Sequence, residues 1–281
     1  MPNEPGSGLP NEASYTVSED TVVDNVTCLE WQKVAPEVVT TENLYDWPAA
    51  IDYCDELTVG GQSDWRLPTR IELVSIAQFS DPQGVDANVF PGPYASTVWT
   101  SSVWATSTQD SPGDGIAWTL LTGSKSVTST LQRRVQGVRC VRGGGTGEGP
   151  RDLAVAPENL YAEVASGEIK DSYTGLVWQQ DQSASEMPYE DSAAYCGSLV
   201  LGSHSWRLPS GQELQTLVDE SKALGLINLD VFPSIKYDTK YWGAQPPSDE
   251  VTGDRISVEF ASGNLYFQDE TGEVGSVKCV R

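Results

Sequence analysis

Nine tryptophans, forty carboxylates, five cysteines and a single histidine set the chemistry open to this 281-residue chain. Rings and carboxylates are the equipment of a binding surface: flat aromatic faces stack on sugar rings, and acid groups accept hydrogen bonds or hold cations. Trp104 lies in the segment TVWTSSVWATSTQDSPGDG, which also carries Trp99 and, in QDSPGDG, Asp110 and Asp114. Trp118 follows shortly after. The corresponding stretch of the second half holds Trp242 and, in PSDEVTGD, Asp249, Glu250 and Asp254. These nine residues are the candidate ligand-binding set. Trp99 and Trp242 recur at one repeat position and so carry a core reading as well, whereas Trp47, Trp104 and Trp118 do not recur. Oxygen ligands on glycine-rich turns could hold calcium at Asp110, Asp114, Asp249 and Asp254, but the spacing is not that of an EF-hand, and a solvated turn is the default reading. No other cofactor or metal is expected. His204 stands where the first half has Ser63, so a histidine-based triad or a zinc site cannot occur in both halves. The chain is not expected to be an enzyme.

What positions these residues is a repeat. DNVTCLEWQ at 24–32 answers DSYTGLVWQ at 171–179, AAIDYCDEL at 49–57 answers SAAYCGSL at 192–199, SDWRLPTRIEL at 63–73 answers HSWRLPSGQEL at 204–214, and VRCVR at 138–142 answers VKCVR at 277–281. Each copy is long enough to bury its own core and too long for a solenoid unit. The expected organisation is a disordered leader at 1–14, a first domain at 15–142, a glycine-rich linker at 143–157 and a second domain at 158–281.

A formal net charge of −23 makes nucleic acid and anionic membrane surfaces poor partners. No stretch approaches the length of a membrane helix, so membrane insertion is not expected. Cys54 and Cys140 occupy the repeat positions of Cys196 and Cys279, and one pair per copy is what an intradomain disulfide requires. Such bonds persist in an oxidising space, which points to export. Cys28, opposite Gly175, is left over and reads as a buried small hydrophobe rather than an intermolecular link.

Each copy reads as a strand, two helices and then several strands, an α+β pattern with a mainly antiparallel sheet. Cys54 and Cys196 fall on the apolar face of the first helix. Thr69 with Glu72, and Ser210 with Glu213, form S/T-x-x-E capping boxes that open the second helix. Trp65 and Trp206, with Arg66 and Arg207, recur in WRLP and read as packing residues, the arginines bonding backbone or a carboxylate.

The motifs T-x-L-x-W-Q, A-x-YC, WRLP-T/S-x-x-EL and V-R/K-C-V-R, in this order and twice over, resemble the bacterial domain family named for the C-terminal domain of the Legionella collagen-like adhesin. The resemblance implies two tandem C-type lectin-like domains in an extracellular or surface-attached protein, with adhesion to sulfated glycosaminoglycans as the adhesin's own role. It implies a glycan or surface protein as partner, engaged by the loops after helix two. A polysulfated ligand needs lysine and arginine clusters that this chain lacks. The alternatives are a surface module that binds nothing and a receptor diversified by a retroelement.

Overall fold

A computed structural model describes residues 1–36, 43–91, 97–104, 115–122, 125–143, 160–222, 226–244, 254–269 and 271–281. The chain divides into two compact units, Met1–Ala154 and Val155–Arg281. Domain one runs β1 (Tyr15–Val17), β2 (Thr21–Asp24), β3 (Leu29–Gln32), α1 (Trp47–Asp55), α2 (Arg70–Ser75), β4 (Val98–Val103), β5 (Ile116–Leu121), β6 (Ser126–Leu131) and β7 (Val141–Gly143). Domain two runs β8 (Tyr161–Ala165), β9 (Glu168–Asp171), β10 (Val177–Gln179), β11 (Met187–Pro188), α3 (Tyr189–Ser198), α4 (Gly211–Gln215), β12 (Lys240–Gly243), β13 (Asp254–Glu259), β14 (Asn264–Asp269) and β15 (Val274–Gly275). Among the described residues, four short helices and many antiparallel strands make a mixed α+β chain.

In each domain the first strands and the last strand close on one another. The strands β1, β2, β3 and β7 form one antiparallel sheet, and Trp31 pairs with Val141 just as Trp178 bridges to Val280. A second layer is a meander, β4–β5–β6 in domain one and β12–β13–β14 in domain two. Between the layers lies an apolar core that includes Ala50, Cys54, Trp65 and Trp99 in domain one and Cys196, Trp206 and Trp242 in domain two. Disulfides Cys54–Cys140 and Cys196–Cys279 tie the first helix of each domain to its closing segment.

The repeated sequence words turn out to be the frame. Asp24 takes the Val26 N–H at 2.8 Å and the Thr27 hydroxyl at 2.6 Å, and Asp171 takes the Tyr173 N–H at 2.8 Å and the Thr174 hydroxyl at 2.6 Å. These Asx turns close the β2–β3 and β9–β10 hairpins. The Gln32 side chain accepts from the Cys140 N–H and donates to the Tyr53 hydroxyl, a bridge that Gln179 repeats with Cys279 and Tyr195. Both capping boxes are complete, and the capping carboxylate does further work. Arg66 grips Glu72 through two 2.7 Å bonds, and Arg207 grips Glu213 at 2.7 and 2.8 Å. The WRLP backbone meets the closing segment through paired bonds, Arg66 with Val141 and Arg207 with Val280. Trp65 and Trp206 are buried and donate to loop carbonyls.

Two expectations need correction. Residues 1–14 are not a disordered leader: Asn3 and Glu4 are buried, and the Glu4 carboxylate accepts the N–H of Phe79 at 2.6 Å and of Ser80 at 3.1 Å. The segment closes on itself through Asn3 and Ala13 before entering β1. Its Pro, Gly and Asn content, which reads as disorder in isolation, here serves turns around one anchoring acid. Cys28 is exposed, not buried. It sits in the hairpin turn at φ 60°, where Gly175 has φ 77°, and a turn residue there faces solvent instead of the core.

Candidate functional site

With the frame repeated, the chemistry that differs between domains stands out, and strand register fixes the correspondence. Trp99 pairs with Thr119 in β4–β5, and Trp242 with Ser257 in β12–β13. Trp118 therefore corresponds to Ile256 and Ala117 to Arg255. The residue that opens the second helix also changes, from Arg70 to Gly211.

In domain one these substitutions build a stack. Trp118 is fully buried, and Arg70, a residue only 2% exposed, places its guanidinium 5.6 Å from the ring centre. The backbone N–H of Arg70 donates to the Ser102 hydroxyl at 2.9 Å. Trp104 lies parallel to Trp118, with centroids 5.5 Å apart and planes 3° apart. Trp104 is half-buried. Its backbone N–H bonds the Ile116 carbonyl, extending the β4–β5 ladder to the point where the described chain stops. The arginine and the half-buried ring thus both pack against the buried Trp118 ring.

Domain two cannot build it. A Cβ at Gly211 would meet Ile256 Cγ2 at 2.6 Å, so the glycine is required by close packing of α4 on β13. Its arginine–aromatic pair lies on the other side of the sheet. Arg255 stands 4.7 Å over Tyr189, the first residue of α3, and its guanidinium bonds Glu190 at 3.2 Å. Glu190 is held below the usual carboxylate range by hydrogen bonding, first to its own backbone and then to Arg255. Tyr189 corresponds to Trp47, whose indole N–H donates to the Thr100 carbonyl at 2.8 Å.

Of the nine candidate residues, Trp99, Trp118 and Trp242 have no exposed surface, and a ring without exposed surface cannot stack on a ligand. These three are core. Trp99 and Trp242 donate to the carbonyls of Tyr45 and Met187, each at 2.8 to 2.9 Å, which fixes them as counterparts in the frame. Trp104 is half-buried, with its indole Nε1 buried and its ring packed on Trp118, so it is not the freely displayed side chain that its unrepeated position predicts. Asp110, Asp114, Asp249 and Glu250 lie outside the described residues. Asp254 opens β13 and is half-buried. Among the described residues no three acid, histidine or cysteine side chains are grouped to hold a metal ion. A cleft lined by Leu73, Ile76, Val85, Val98, Leu120 and Val138 offers about 20 Å³, room for a water molecule and not for a sugar. Arg70, Tyr189, Glu190 and Arg255 escaped the sequence reading. The signal available was the charge lost inside a repeated motif, WRLPTRIEL against WRLPSGQEL.

The other shifted titratable groups owe their shifts to burial or pairing. Burial raises Glu4, Asp171, Tyr15, Tyr161 and Tyr241, and lowers Lys278. Asp64 is lowered by its hydrogen bond to Arg142, which also pairs with Glu30. No described helix is long and apolar enough to cross a membrane.

A frame of this kind, twice repeated with one face remodelled, defines a tandem of two modules, each stapled by a disulfide. The Lcl C-terminal domain family matches residues 20–142 and 167–281, two copies that together span most of the chain, and the protein belongs to that family. Comparison with curated proteins gives no match.

Proposed function

We propose that this chain is a secreted or cell-surface adhesin-like protein whose two C-type lectin-like domains hold variable binding faces on a fixed frame, and that it binds rather than catalyses. One observation carries the reading: the domains agree bond for bond at Asp24/Asp171, Gln32/Gln179, Arg66/Arg207 and the disulfides, yet differ in every residue of the Arg70–Trp118–Trp104 stack that the structure describes. A face needed for folding would be kept in both copies. Family membership supports a surface role. The helix-to-closing-strand disulfides and the pairing of first and last strands support the lectin-like fold and an oxidising compartment. The partner in this reading is an extracellular glycan or surface protein, and calcium is not required.

A glycan array probed with the full chain, with and without calcium, tests this directly, together with adhesion of the chain to cell and biofilm surfaces. Saturable binding to any of these supports the reading. Its absence throughout leaves a passive spacer.

A further inference from the structure

We propose that the turn at 78–84 of domain one is a docking site for an acidic peptide segment, that residues 2–13 of the chain occupy it in cis, and that it accepts the same segment as a free peptide. Nothing in it depends on what ligand the domains recognise.

The turn is the same in both domains, and what fills it differs. In domain one the Gln78 N–H donates to the Gly84 carbonyl at 2.8 Å and the Asp81 N–H to the Gln78 carbonyl at 3.2 Å. In domain two the Asp219 N–H donates to the Leu226 carbonyl at 3.0 Å and the Lys222 N–H to the Asp219 carbonyl at 3.2 Å. Gln78 therefore corresponds to Asp219, Phe79 to Glu220 and Ser80 to Ser221. Successive backbone N–H groups at a turn make a nest for an anion. Domain two fills the place from within, since the Asp219 carboxylate accepts the Ser221 N–H at 3.1 Å and the Ser221 hydroxyl at 2.5 Å. Gln78 carries no charge for that role, and its amide donates to the Ser80 hydroxyl at 3.3 Å. The carboxylate comes from Glu4, which takes the Phe79 and Ser80 N–H groups at 2.6 and 3.1 Å. Lys125 acts on that carboxylate as a favourable charge.

The occupant has the form of a bound peptide. Pro2, Asn3 and Glu4 are buried, whereas Pro5 and Gly6 are exposed, so a three-residue word enters the domain. Behind it the segment closes on itself: the Asn3 side chain donates to the Pro10 carbonyl at 2.7 Å, its N–H to the Asn11 carbonyl at 2.9 Å, and the Ala13 N–H returns to the Asn3 carbonyl at 2.8 Å. The sheet begins only at Tyr15. A closed loop anchored by a buried carboxylate can leave and return without unravelling a strand. Capture of a peptide carboxylate by a backbone nest is a recurring mode of recognition, and the tether adds an effective concentration of about a millimolar to the cis copy.

The test titrates a fluorescent peptide of residues 1–14 into the chain lacking residues 2–13 and reads anisotropy. Saturable binding is expected, and the peptide carrying Glu4→Gln should bind at least tenfold more weakly, because it loses two charge-assisted bonds. The intact chain should bind the parent peptide about tenfold more weakly than the shortened chain does, since its own segment competes. Gln78→Asp in the shortened chain places in domain one the acid that domain two carries. It should abolish peptide binding and recover the melting temperature that the deletion lowers. Near-ultraviolet circular dichroism must show the shortened chain folded. If it is not, Glu4→Ala in the full chain opens the same nest and should bind the parent peptide, again only while residue 78 is glutamine. Three results overturn the proposal: no peptide binding to either variant, equal binding of the Glu4 and Gln peptides, or binding that survives Gln78→Asp.

Discussion

Cys28 and Gly175 occupy the same left-handed turn position, at φ 60° and 77°, in the two hairpins that open the domains. A side chain there crowds the following carbonyl, a strain of roughly 1–2 kcal/mol that glycine avoids. Glycine loses more freedom on folding, which offsets about half of that gain. Cys28→Gly should therefore stabilise domain one by about 0.5–1 kcal/mol in urea unfolding. Because Cys28 is exposed while the other four cysteines are in disulfides, the native chain should also titrate one thiol with Ellman's reagent, and the variant none. A less stable variant would mean that the turn tolerates Cys28 without strain.

The arginine–glutamate clamps beside the capping boxes should differ in weight. The Glu213 side chain is 1% exposed and that of Glu72 14%. Removing the cation strands more charge away from water in domain two than in domain one. Arg207→Ala should cost domain two about 3 kcal/mol and Arg66→Ala should cost domain one about 1–2 kcal/mol. The caps themselves are alike, so Thr69→Ala and Ser210→Ala should each cost about 1 kcal/mol. Chemical denaturation of the four variants, read as two transitions, checks the order.

Lys278 and Arg139 fill equivalent places, each donating to the carbonyls after the second paired strand and lying over a phenylalanine, Phe232 or Phe90. Burial pushes the Lys278 ammonium well below the ordinary lysine value. A depressed folded-state value means that the unfolded chain holds the proton more tightly, so domain two gains stability as pH rises from the folded value toward the unfolded one. Lys278→Arg cannot lose its proton and should abolish that slope. The measurement is the pH dependence of the parent-minus-variant unfolding free energy from neutrality to pH 10. A flat difference would show that the carbonyls hold Lys278 charged throughout.

Much of this architecture is legible in one sequence because it is written twice. A motif retained in two diverged copies must satisfy something local, and the Asx turns, capping boxes, WRLP clamps and cysteine pairs are all interactions between residues whose types alone announce the partner. What could not be read is burial at unrepeated positions. Trp118 looks as available as Trp104, and only the fold shows that one ring is fully buried while the other, half-buried, stacks on it. The leader misleads for the same reason, since its anchor is Glu4 meeting the backbone of Phe79 and Ser80, seventy-five and seventy-six residues away, and composition carries no trace of a contact that long.

The stack gives a last expectation, in which stability and binding separate along its layers. Trp118 is fully buried, and its indole N–H has no hydrogen-bond partner among the described residues. Trp118→Ala should remove about 3–5 kcal/mol and unfold domain one or come close to it. Trp118→Phe gives up ring area but also an unsatisfied donor, so it should cost no more than about 1–2 kcal/mol. Trp104, which is half-buried, should cost about 1–2 kcal/mol as alanine, and its loss should fall mainly on binding. Thermal melts of the three variants, set beside their glycan affinities, resolve the layers. If Trp104→Ala melts domain one as far as Trp118→Ala does, the outer ring is core as well, and the surface that it was to offer a ligand does not exist.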